Sequence, residues 1–137
     1  MPGTTETLLD SNLESVDSAE NMAVDAAKTL GMDEDACMDL GLAVREAMVN
    51  AVAHGNKYSA DKKVRYVLDT RTDSLHITIS DQGEGFDPNR VPDPTQGANL
   101  MRGSGRGLLL IQTFVDEFEV KKAATGGAEV KLVKYAN

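Results

Sequence analysis

The sequence predicts an α/β fold in which helices cover one face of a sheet, and two observations carry that prediction. Residues 16–30 and 33–54 repeat apolar positions at three- and four-residue intervals, the period of a helix with one buried side. Residues 75–80 instead alternate strictly, with Leu75, Ile77 and Ile79 on one face and His76, Thr78 and Ser80 on the other. A strand that is apolar on one side only belongs to a sheet with one covered face. The 137 residues fit one domain, 1–137, large enough for an ordinary core without disulfide or metal staples.

In chain order, residues 1–7 read as a polar tail and Leu8 to Leu13 as a short edge strand. The first helix spans Val16 to Leu30, with Ser15 as its cap and Gly31 as its stop. The second starts near Asp33 to Asp35, where acidic side chains suit the positive helix end, and runs to His54 before Gly55 and Asn56 stop it. Val64 to Asp69 and Leu75 to Ser80 form a hairpin around a polar turn at 70–74. Between Asp81 and Gly107 fall three of the four prolines and six of the twelve glycines, which marks a long loop of the kind that usually carries function. Leu108 to Val115 reads as a helix, and Phe118 to Lys122 and Glu129 to Val133 as strands around a turn at Gly126-Gly127.

Charge narrows the function classes. Fourteen Lys and Arg against 22 Asp and Glu leave a net charge of −8, which repels a phosphate backbone and disfavours direct nucleic-acid binding. Cys37 is the single cysteine and sits among apolar neighbours, so a buried reduced thiol is expected and a disulfide is not. No apolar run approaches a membrane span, and residues 1–10 lack a signal core, so a cytoplasmic protein is expected.

Three places could carry chemistry. Glu46, Asn50 and His54 lie at i, i+4 and i+8 of the second helix, which reads either as a solvated stripe or, given Ala43, Ala47, Val49 and Ala53 around it, as the border of a cavity. There an asparagine offers a neutral oxygen to a hard cation and a glutamate can take a proton, while a histidine near a helix end is also favoured by the dipole alone. Asp81-Gln82-Gly83-Glu84-Gly85-Phe86 follows a strand expected to end in water. It is either a glycine turn or a site where a carboxylate accepts from an amino group while bare backbone admits a flat ring. Glycines at the third and fifth positions of that run exclude an EF-hand. Gly103-Ser104-Gly105-Arg106-Gly107 opens the helix at Leu108 and is either a flexible hinge or an anion cradle at a helix amino end. It matches neither a Rossmann nor a Walker loop.

Taken together, the run Glu46 to Gly55, the run Asp81 to Gly85 and the run Gly103 to Gly107 resemble, in order and content, the N box and two glycine boxes of the gyrase, heat-shock chaperone, histidine kinase and MutL ATPases. The chain is most similar in length to the anti-sigma-factor serine-protein kinases, which also carry a stretch like Pro92-Asp93-Pro94-Thr95. That resemblance implies a two-layer α/β sandwich of the Bergerat, histidine kinase-like type, with a mixed, mainly antiparallel sheet and an ATP lid over residues 86–107.

The resemblance also implies roles. Asn50 would hold Mg²⁺ at the ATP phosphates, and Glu46 would be the general base on a serine hydroxyl. Asp81 would accept from the adenine amino group, with Gly83 and Gly85 shaping the pocket. Gly103, Gly105 and Gly107 would close on the phosphates, and Arg106 would touch them or a partner. The implied activity is ATP-dependent phosphorylation of a small anti-sigma-factor antagonist, with a sigma factor and a homodimer among the implied partners. The alternative is a nucleotide-dependent binding module without transferase activity.

Overall fold

The computed structural model describes residues 3–83, 105–124 and 126–136, the side chains of 105–109 apart. Five strands, β1 (Gly3–Asp10), β2 (Lys63–Thr70), β3 (Ser74–Ser80), β4 (Glu117–Lys122) and β5 (Ala128–Tyr135), form one sheet in the order β1-β2-β3-β5-β4. Helices α1 (Leu13–Thr29), α2 (Glu34–Val49) and α3 (Gly105–Phe114), with a π-helical turn (Asn50–Gly55) that follows α2, complete the described elements.

The alternation read in β3 is what builds the core. Leu75, Ile77 and Ile79 are buried together with Val64, Tyr66 and Leu68 of β2 and Val130 and Leu132 of β5. From the helices come Val16, Ala19, Ala23 and Ala27 of α1, Leu40, Val44, Ala47 and Met48 of α2, and Ile111 of α3. The alanine row lets α1 settle close to the sheet, and the Tyr66 hydroxyl, which must find an acceptor once buried, donates to the Ala19 carbonyl at 2.6 Å. Cys37 is buried as expected. This two-layer arrangement is the expected sandwich.

Five expectations need correction. Residues 3–7 are not tail: they belong to β1, which pairs antiparallel with β2 from Gly3↔Thr70 to Asp10↔Lys63. Every described strand pairing is antiparallel, so the sheet is not mixed among the described residues. The cap of α1 is Asn12, whose side chain accepts from the Ser15 amide at 2.9 Å, so Ser15 is the recipient of the cap and is itself buried. Gly105 to Gly107, assigned to the loop and lid, form the first turn of α3. Finally, β3 does not end in water, because Ser80 and Asp81 are buried. The remainder of the 86–107 lid, with Pro92 to Thr95, lies outside the described residues.

Candidate active site

The site begins with a change of helical geometry. Asp33 caps α2, accepting from the Ala36 amide at 2.8 Å, and the α-helix runs to Val49. Residues Asn50–Gly55 then continue as a π-helical turn, in which the Asn56 amide reaches back to the Ala51 carbonyl at 2.8 Å. Glu46 and Asn50, one α-turn apart, share a face, with Glu46 half-buried and Asn50 2% exposed. The wider turn breaks the stripe that a 3.6-residue period predicts, and His54 is exposed. Asn50 carries the one orphan among the described buried side-chain atoms: its Nδ2 has no hydrogen-bond partner. A buried amide donor left unpaired costs about 1–3 kcal/mol, which a bound acceptor would recover.

The helix exit runs directly into Asp81. A Cβ on Gly55 would stand 2.3 Å from Asp81 Oδ2, and a Cβ on Gly83 would stand 2.0 Å from the Gly55 carbonyl oxygen. Gly127 closes the third side, since its Cβ would lie 2.1 Å from the Asp81 carbonyl oxygen and 2.3 Å from Oδ1. Only bare backbone fits these approaches. Within this cradle Asp81 is 4% exposed. Its Oδ1 accepts from the Gly83 amide at 3.0 Å and the Ala128 amide at 3.1 Å. Burial pushes the carboxyl above its ordinary value, while those two amides and the positive charge of Lys62 hold it down.

The sign of the resulting pH dependence follows. Between the ordinary carboxyl value and the raised one, the folded chain holds a proton at Asp81 that the unfolded chain has released. This group therefore contributes stability below its ordinary value, and the contribution is lost as pH rises through the raised value. Urea unfolding of wild type and Asp81→Asn across acidic pH is expected to show that slope in the wild type and its loss in the variant. Parallel profiles would contradict it.

The expected residues are thus placed unevenly. Glu46, Asn50, Asp81 and Gly83 are brought to one helix and the loop it abuts. Gly105, Arg106 and Gly107 open α3, whose first backbone amides have no partner within the helix, although the Arg106 side chain lies outside the described residues. Gly85 and Gly103 also lie outside them. From the sequence, Gly55 reads as a helix stop and the end of the N-box run, Asn56 only as a helix stop and Gly127 only as part of a turn. Asn56 is 1% exposed, and its Oδ1 accepts from the Gln82 amide at 2.7 Å.

A family model for the histidine kinase-like ATPase domain matches residues 9–134, from the end of β1 into β5. The chain belongs to the histidine kinase-like ATPase family. Within it, the chain is 33% identical over 117 residues to serine-protein kinase RsbW of Listeria monocytogenes, covering 81% of this chain and 73% of that protein. It is 30% identical to serine-protein kinase RsbW of Bacillus subtilis, covering 81% and 72%, and 31% identical to that of Staphylococcus epidermidis, covering 77% and 69%. The resemblance carried by the three motifs is therefore borne out, and with it the fold. No described helix is long and apolar enough to cross a membrane.

Proposed function

We propose that the chain is an ATP-dependent protein-serine kinase that phosphorylates a small serine-bearing anti-sigma-factor antagonist. The observation that carries the reading is the continuity of one helix from Glu46 through Asn50 to Gly55, which ends against the Asp81 carboxylate. A base and a phosphate-end ligand are then spaced one turn apart on that helix, and an adenine acceptor from the loop after β3 stands against its end. The names of the relatives support the transferase part.

In this reading Asp81 accepts a hydrogen bond from the adenine amino group, with Gly83 and Gly85 beside it. The orphan Nδ2 of Asn50 suits a phosphate oxygen, and its Oδ1 is a neutral hard donor of the kind Mg²⁺ takes. Among the described residues no group of three or more His, Cys, Asp or Glu is placed to hold a metal, so the cation's other ligands would be phosphate oxygens and water. Mg²⁺, when bound, supplies the positive charge that offsets the phosphates. The Gly105 and Gly107 amides, in the first turn of α3, would meet the phosphate end, and by the resemblance Gly103 and Arg106 would join them. Glu46 takes the proton of the serine hydroxyl as its oxygen bonds to the γ-phosphorus. The bond from that phosphorus to the bridging oxygen breaks, and ADP leaves. A sigma factor, released when the unphosphorylated antagonist binds, completes the proposal, as do a homodimer and a cytoplasmic location.

Two experiments test it. Incubation with ATP, Mg²⁺ and antagonists encoded nearby is expected to yield phosphoserine, and no transfer to any of them would leave a nucleotide-dependent binding module. For Asn50→Ala the expected result is a folded protein whose ATP affinity no longer responds to Mg²⁺. Titrations with and without the metal check this, and a full Mg²⁺ enhancement in the variant would reduce Asn50 to a helix residue.

A further inference from the structure

We infer that Asn56 is a positioning residue that fixes the Asp81 loop for adenine, and that it thereby sets a preference for ATP over GTP. The inference rests on the reading that Asp81 receives the adenine amino group.

Asn56 stands where four segments meet. Its Oδ1 accepts from the Gln82 amide at 2.7 Å, and its Nδ2 donates to Ser11 Oγ at 2.9 Å and to the Lys63 carbonyl at 3.1 Å. Ser11 in turn donates to the Lys62 carbonyl at 2.6 Å, and the Lys63 amide donates to Gln82 Oε1 at 2.6 Å. One buried amide therefore ties the helix exit to the end of β1, the start of β2 and the loop after β3. Asparagine is the shortest side chain with both an acceptor and a two-proton donor, and all three bonds here use that combination.

The consequence falls on Asp81 because of how the loop is held. Two successive loop amides have fixed acceptors: that of Gln82 goes to Asn56, and that of Gly83 goes to Asp81 Oδ1. The contact of Gly83 with the Gly55 carbonyl, and of Gly55 with the Asp81 carboxylate, leaves no slack between the two backbones. Without the Asn56 acceptor the Gln82 amide must find water, and the loop moves off the helix exit. The carboxylate is then no longer held at one position relative to α2. A carboxylate so placed discriminates, since guanine carries an oxo group where adenine carries its amino group. The phosphate end, at Asn50 and the start of α3, lies on other elements, so the loss should be confined to the base.

The test is calorimetric titration of wild type, Asn56→Leu, Ser11→Ala and Asp81→Asn with Mg·ATP, Mg·GTP and Mg·tripolyphosphate, which lacks a base. Asn56→Leu is expected to weaken ATP by about tenfold and to narrow the ATP-to-GTP ratio, with tripolyphosphate unchanged. Ser11→Ala removes one anchor of the same amide and is expected to narrow the ratio by about threefold. Unchanged ATP affinity in Asn56→Leu, or equal losses of ATP and tripolyphosphate, would overturn the inference. Should Asn56→Leu fail to fold, Ser11→Ala decides: a narrowed ratio supports the assignment and a wild-type ratio overturns it. If Asp81→Asn binds ATP as the wild type does, the underlying reading of Asp81 fails and the inference goes with it. If Asp81→Asn loses ATP while folded Asn56→Leu does not, only the role of Asn56 is lost.

Discussion

Glu46→Gln is expected to lower phosphoryl transfer to a serine by roughly 10²–10⁴ while leaving ATP affinity nearly unchanged. Glutamine keeps the length and shape of the side chain on α2 but cannot take a proton, so binding and chemistry should separate. The placement of Glu46 supports that separation: it is half-buried and one turn before Asn50, whereas the Asp81 cradle is built by the far end of the same helix, the loop after β3 and the turn before β5. The measurement pairs single-turnover transfer with calorimetric ATP affinity on the same folded variant. Loss of both together would count against Glu46 as the base, because a residue in a structural network also fails on neutralisation.

The second large effect is expected at the other end of the helix. Asp81→Asn should weaken ATP by roughly 10- to 150-fold, the equivalent of the ~1.5–3 kcal/mol of a hydrogen bond to a charged group. The substitution removes the negative charge and offers the adenine amino group a competing donor. Its amide oxygen can still accept from Gly83 and Ala128, and it relieves the burial of a charge, so the fold should survive. ATP affinity in the wild type should also rise with pH through the raised value of Asp81, because the ionised carboxylate is the stronger acceptor and carries no competing O–H donor. Wild-type affinity in the folded variant would remove Asp81 from the nucleotide site.

How much of this was legible depends on how far apart in sequence the deciding groups lie. The helices and inner strands were readable because burial imposes a period, and Leu75, Ile77 and Ile79 obey it. β1 was largely missed because an edge strand with a wet outer face carries no such pattern: Thr4, Glu6, Leu8 and Asp10 are exposed and only Thr7 and Leu9 are half-buried. Glu46, Asn50 and Asp81 were legible as motifs. What the motifs could not convey is the π-helical turn that separates Asn50 from His54. That turn ends where Gly55 meets Asp81, a contact between residues 55 and 81 that no local propensity encodes. Asn56 does stop the helix and Gly127 does lie in a turn, but their second roles were illegible for the same reason. Each looks like turn punctuation until Gln82 and Asp81 are brought against it.

The central claim, that this site moves phosphate from ATP to a partner's serine, is tested most directly by following γ-labelled phosphate through one turnover of the wild type. With a serine-bearing antagonist present, the label is expected to leave ATP and appear on the antagonist's serine. Without the antagonist it should stay on ATP. Label that remains on ATP in both cases, or that is released as inorganic phosphate at the same rate with and without the antagonist, would contradict the account.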